Sequence, residues 1–125
     1  MQTMIRIHEN HEYTEEILQL VQMELLPKAK LAFPGIQWNR AELLARLDKG
    51  RTYLYLHSNL IVAGFIHVVP STSTLWIDML AVHPVVRKKG IGTALIKHIE
   101  KEARQQKRIK KVCLFVDQSN SAAIR

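Results

Sequence analysis

The stretch HPVVRKKGIGTAL, His83 to Leu95, sets three cations and two glycines between an apolar run ending at Val82 and an amphipathic one beginning near Gly92. A strand ending at Val82, a short loop and a helix starting near Gly90 would leave main-chain N–H groups unpaired at the helix N-terminus, where the macrodipole is also positive. Such an end attracts anions. Gly90 and Gly92 let a phosphate reach the backbone with no Cβ in the way, and Arg87, Lys88 and Lys89 add mobile charge around it, a geometry that suits a pyrophosphate. Singly, each feature is ordinary, because a GxG is often only a turn and a cationic triplet is usually a solvated loop. The dinucleotide fingerprint fits poorly: Leu95 holds its third glycine position, seven residues separate the strand from Gly90, and no first strand of a parallel sheet feeds the turn. No Gly-Lys-Ser or Gly-Lys-Thr occurs, which excludes a P-loop.

Working outward, Gly92 to Gln106 places Ala94, Leu95, Ile99 and Ala103 on one face and Lys97, Glu100, Lys101 and Arg104 elsewhere, the pattern of an amphipathic helix. Val112 to Val116 is a continuous apolar strand containing Cys113, the single cysteine, which is expected to be a buried, inert thiol. Upstream, Thr52 to His57, Leu60 to Val69 and Thr74 to Val82 predict three antiparallel strands, with a tight turn at Ser58 and Asn59, a second over Pro70 to Ser73, and a bulge at Gly64. Met4 to His8 alternates like a short strand. Thr14 to Leu26 carries Ile17, Leu20, Val21 and Leu25 at helical spacing, with Pro27 expected to stop it. Asn39 with Glu42 resembles a capping box for a helix running to Lys49, where Gly50 would supply the stop. Ser119 and Asn120 are good N-cap residues for a turn of helix over Ser121 to Arg125.

At 125 residues, with 47% hydrophobic and 23% charged residues, the chain is sized for one ordinary globular core, which excludes disorder without choosing between enzyme and binding module. No stretch approaches the ~20 apolar residues of a membrane helix and no signal-peptide core is present, so a cytoplasmic location is the default expectation. The net charge of +7 points to an anionic partner. His8 and His11 form no metal-binding pattern, and no metal is assigned.

The run MLAVHPVVRKKGIGTALIKHIEKEA, Met79 to Ala103, resembles motif A of the GNAT acyltransferase superfamily. The likeness lies in a strand ending Leu-Ala-Val, a proline two residues on, the Arg-x-x-Gly-x-Gly signature at Arg87, Gly90 and Gly92, and the apolar helix. The family's order of elements also fits nearly the whole chain: a strand, two helices, a three-strand meander, the signature helix, another strand, then DQSNSAAIR as the opening of a further helix. The resemblance implies an α/β (α+β) fold with a mixed, mostly antiparallel sheet flanked by helices, in one domain over 1–125.

It further implies acetyl transfer from acetyl-CoA, as cosubstrate, to an amine of a small molecule or peptide. The coenzyme's pantetheine would pair with the main chain of Leu80, Ala81 and Val82, and its pyrophosphate would sit among Arg87, Lys88, Lys89, Gly90, Gly92 and Thr93. Asn120 matches an asparagine that often contacts the coenzyme. The backbone N–H near Leu80 would stabilise the tetrahedral oxyanion. For the base that deprotonates the amine, Asp78 is the candidate: a carboxylate in an apolar strand, two residues from Leu80 and so expected on one face with Trp76 and Leu80, where burial would raise its pKa. His67 and His83 are weaker alternatives. The variable segment Leu26 to Trp38 would line the acceptor side.

The sequence stops at Arg125, before the family's thiolate-protonating tyrosine and its final hairpin. The expectation is therefore a domain truncated at its C-terminus, with the hairpin missing and an open edge at Val112 to Val116 that a homo-oligomer would complete. A non-catalytic coenzyme-binding module is the alternative. A basic nucleic-acid surface over Lys97 to Lys111 is a third reading, disfavoured because no aromatics are interleaved for base stacking.

Overall fold

The computed structural model describes residues 5–8, 12–57 and 62–114. Within them, the apolar runs pair into one five-stranded sheet of order β1-β2-β3-β4-β5: Ile5–Ile7, Arg51–Tyr55, Gly64–Ser71, Thr74–Val82 and Lys111–Leu114. The first three pairings are antiparallel and β4–β5 is parallel, so the expected mixed, mostly antiparallel α/β architecture is present. Residues 64 to 68 are buried at every position, the mark of a central strand covered on both faces. The expected turn at Ser58 and Asn59 and the helical turn over residues 121–125 lie outside the described residues.

Among the described residues, four α-helices cover the sheet: α1 (Thr14–Leu20), α2 (Leu26–Ala32), α3 (Arg40–Leu47) and α4 (Ile91–Arg104). Pro27 does not stop the first helical run as expected. The chain passes from α1 through a π-helical turn, Val21–Leu25, directly into α2, with Pro27 in its first turn. Proline forgoes one hydrogen bond to the preceding turn, and the wider π-helical turn makes room for its ring. Asn39 does cap α3, accepting from the Glu42 N–H at 3.0 Å. That helix ends at Leu47, short of Lys49, and Gly50 serves another purpose than a stop: a Cβ there would lie 2.0 Å from the Val68 carbonyl oxygen. Its glycine is required by close approach to β3.

Two apolar clusters form, one per sheet face. Ile66, Val68, Leu75 and Ile77 pack with Ile91, Leu95 and Ile99 of α4, and Leu80 and Val82 lean on that cluster. Leu54, Phe65, Met79 and Ala81 pack with Ile17, Leu18 and Leu20 of α1 and Leu43 of α3. Fully burying a side chain such as Leu95 or Phe65 contributes about 1.5–3 kcal/mol. Ile77 and Leu80 share a face although three residues apart, which needs an extra residue in the strand. The register supplies it: Met79 faces His67 and Ile77 faces Val68, so Asp78 is a bulge. The bulge expected at Gly64 is instead here, and Gly64 is explained by the Ala81 carbonyl oxygen and the Ile91 side chain, 3.0 and 3.1 Å from where a Cβ would be. Cys113 is half-buried rather than enclosed.

Candidate active site

Val82 ends β4, and the chain turns through a 3-10 segment, Pro84–Val86, whose first available amide is held by His83: its Nδ1 accepts from the Val85 N–H at 3.2 Å. The loop then visits the left-handed region twice, at Lys88 (φ 66°) and Gly90 (φ 77°), before α4 begins at Ile91. Left-handed residues in a loop gather backbone N–H groups into an anion-binding concavity. Among the described residues no side chain caps α4, and its first intrahelical bond is donated by the Ala94 N–H to the Gly90 carbonyl at 2.9 Å. The amides of Ile91, Gly92 and Thr93 therefore lie at the open end of a helix of 14 residues, where the dipole is positive.

These amides face a cleft of about 450 Å³. Leu80, Ala81 and Val82 form one wall, and Arg87, Lys88, Gly90, Gly92 and Thr93 form the floor. Eight of the expected coenzyme residues thus come together, while Lys89 does not line the cleft and Asn120 lies outside the described residues. Four residues not anticipated complete it: Ile91 at the start of α4, and Glu24, Leu25 and Lys28 from the π-turn and α2. Glu24 is ion-paired with Arg87. The helical i, i+4 spacing of Glu24 and Lys28 in the sequence is the signal that could have placed both on one face.

Among the described residues, no strand pairs with the outer edge of β4 along this wall. The described β4–β5 ladder runs from Thr74–Lys111 to Ile77–Leu114, while the His83 N–H donates to the Ala63 carbonyl at 2.7 Å on the β3 side. Since successive residues of a strand turn their amides to opposite edges, Leu80 and Val82 direct theirs away from β3, toward the side β5 leaves open among the described residues.

A second cleft, about 280 Å³, meets the first at Leu25 and Leu80 and extends between α2, α3 and β4. Asp78 lies in it, on the face opposite the Leu80 side chain, because the bulge separates the two; the shared face expected for Asp78 and Leu80 is not found. Its carboxylate accepts from Arg46 Nε and Nη2 at 2.9 and 2.8 Å and contacts His67 Nδ1 at 3.0 Å. Burial works against ionisation and is the largest single influence, yet the hydrogen bonds and charges of His67 and Arg46 together outweigh it and pull the carboxyl from 3.8 down to about 2. The expected rise in pKa is thus reversed. Sequence reasoning missed Arg46, 32 positions from Asp78, because nothing local ties α3 to β4. His67 is fully enclosed, with Nε2 3.1 Å from the Leu47 carbonyl oxygen, so both ring nitrogens are committed to structure. His83 is likewise engaged with its own loop.

The acetyltransferase (GNAT) family profile matches residues 7–125. A comparison with curated protein sequences finds no match. Among solved structures, the ribosomal-protein-S18-alanine N-acetyltransferase from Escherichia coli superposes with a TM-score of 0.75 at 18% identity, over 98% of this chain and 72% of that one. A possible acetyltransferase from Clostridium difficile gives 0.70 at 22% identity, over 95% and 82%. An aminoglycoside acetyltransferase from an uncultured soil metagenomic sample, in complex with sisomicin, gives 0.65 at 19% identity, over 96% and 81%. Such identities speak to the fold alone. The profile spans nearly every residue, the signature loop opens α4 as that family's does, and the sheet has the same architecture: the chain belongs to the acetyltransferase (GNAT) family.

Proposed function

We propose that the chain is an N-acetyltransferase that moves an acetyl group from acetyl-CoA to an amine by direct attack. The observation that carries this reading is the junction of the two clefts at Leu80 and Leu25, with uncapped helix amides at the far end of the first. The uncapped amides of α4, with Arg87, Lys88 and Lys28 around them, would hold the pyrophosphate. The outward main chain of Leu80 and Val82 would pair with the pantetheine arm as a neighbouring strand does. The thioester then falls at Leu80, whose N–H would stabilise the oxyanion, an interaction commonly worth about 3 kcal/mol.

The amine nitrogen bonds to the carbonyl carbon and the carbon–sulfur bond breaks. Of the two protons the ammonium gives up, one ends on the coenzyme thiol and one in solvent. Asp78 contributes differently from the first expectation: a carboxyl held at about 2 is a weak base at neutral pH, so it serves to fix Arg46 and the cleft wall. The attacking species is then the neutral fraction of the acceptor itself, and turnover rises with pH toward the amine's own pKa. The solved aminoglycoside acetyltransferase supports a small-molecule acceptor as one candidate class. Calorimetric titration with acetyl-CoA and, separately, with duplex DNA at physiological salt tests the reading. Heat with acetyl-CoA supports it, and heat with DNA alone overturns it. Thiol release over an amine panel then separates an enzyme from a module that only binds the coenzyme.

A further inference from the structure

We infer that the acceptor is a primary amine carried on an apolar or aromatic group, and that the Glu42 carboxylate on α3 recognises its ammonium. This rests on the transferase reading above, because the cleft concerned is the one that meets the coenzyme cleft at Leu80.

The walls of this cleft are apolar where they could have been polar. Val21, Leu25, Ile36, Trp38, Leu43 and Met79 line it. Its charged groups nearly cancel: Arg46 and Asp78 are spent on each other in a two-point pair, and His67 buttresses that pair from the core. Glu42 is what remains. It lines the cleft, one helical turn before Arg46, and makes no salt bridge among the described residues. The Asn39 side chain accepts from the Glu42 backbone N–H, and among the described residues the Glu42 carboxylate acts on Arg46 through charge without an ion-pair contact, so its hydrogen-bonding capacity is available to a ligand.

In a chain of net charge +7, a cleft whose uncompensated charge is negative selects cations against the overall field. At about 280 Å³ it falls just below the range of roughly 300–1,000 Å³ for ligand pockets, room for one ring or one apolar side chain. A polyhydroxylated polyamine would bury many hydrogen-bonding groups against apolar walls with few partners, which is costly. The favoured chemistry, an ammonium on an apolar frame, is shared by a free arylalkylamine and by a peptide whose first residue is bulky and apolar. Glu42 acts by capture and positioning. The same carboxylate that draws the ammonium in also favours its protonated form, so removing it should weaken capture without slowing the bound, deprotonated amine.

The full chain, wild type and Glu42→Gln, is assayed at saturating acetyl-CoA with 2-phenylethylamine, with a peptide beginning in phenylalanine, and with kanamycin. Ligand-detected NMR follows 2-phenylethylamine binding with and without coenzyme. The expected result is a lower KM for one or both apolar amines than for kanamycin, and a rise of about tenfold in that KM in Glu42→Gln with kcat not reduced. Which apolar amine prevails identifies its source. A preference for kanamycin, or a KM indifferent to Glu42→Gln, overturns the inference while leaving the transferase reading intact. Phenylethylamine binding that depends on Glu42 in a chain that fails to bind acetyl-CoA does the reverse. Loss of binding to both overturns both. The Gln variant keeps the backbone N–H that Asn39 caps, and its melting temperature, compared with wild type, verifies that the fold is retained.

Discussion

Arg46 and Asp78 meet as two parallel N–H···O bonds, 2.9 and 2.8 Å, joining α3 to the bulge of β4 across 32 residues of sequence. A two-point pair of this kind fixes direction as well as distance. The pair holds the wall of the second cleft, and the bulge is what turns Asp78 toward it. Because the folded carboxyl titrates at about 2 and the unfolded one near 3.8, the stabilisation is present above pH 4 and is lost as pH falls toward 2. Its size is about 1–2 kcal/mol after allowance for the exposed Arg46. Asp78→Asn should therefore lower stability at pH 7 by about 1–3 kcal/mol and flatten the acid limb of a denaturation series between pH 4 and 2. Its pH–rate profile should show no ionisation lost near neutrality. An Asp78→Asn variant that folds, binds acetyl-CoA and has lost an inflection near pH 7 would restore Asp78 as the base.

Leu80→Pro isolates the oxyanion contact. Proline removes the N–H at 80, which points to the strand's outer edge, so the β3 pairing is retained. Steady-state turnover should fall about 100- to 1,000-fold with acetyl-CoA affinity reduced far less. Equal losses in both would assign Leu80 to binding alone.

The two signature glycines should separate in stability measurements. Gly90 sits at φ 77° in open space, so Gly90→Ala costs the left-handed penalty of about 1–2 kcal/mol with no clash. At Gly92 a Cβ would meet only the Val82 side chain, at 3.7 Å, and Gly92→Ala should leave thermal stability unchanged or slightly raised. Both should weaken acetyl-CoA binding if a phosphate rests against this backbone.

Arg87 carries a competition. Its guanidinium is half-exposed and paired with Glu24, which is 11% exposed, at the edge of the coenzyme cleft. A phosphate would have to share or displace that carboxylate. Arg87→Ala should raise the acetyl-CoA Kd about tenfold, whereas Glu24→Gln should lower it, with both effects shrinking as salt increases. Identical changes in the two variants would mean that the ion pair acts as one structural unit.

Much of this was legible because the deciding pattern is local. The Arg87 to Gly92 loop, the Thr74–Val82 strand and the α4 stripe each declare themselves within a few residues, and the cleft they build follows from their order. The Asn39 cap was readable for the same reason. What escaped was non-local. Gly50 looked like a helix stop until β3 was placed against it. Pro27 looked like a terminator because the π-turn that accommodates it has no periodicity of its own. The Asp78 bulge shifts alternation by one, so counting by twos from Asp78 put Leu80 on the wrong face. The direction of its pKa is equally non-local, because both partners that lower it come from other elements, Arg46 from α3 and His67 from β3.

Acetyl-CoA titrated into the intact chain by calorimetry, at two salt concentrations and with Arg87→Ala alongside, addresses the diphosphate seat at the head of α4 most directly. Saturable one-to-one heat that weakens with salt and in the variant is the predicted outcome. No heat and no thermal shift at millimolar acetyl-CoA would contradict it.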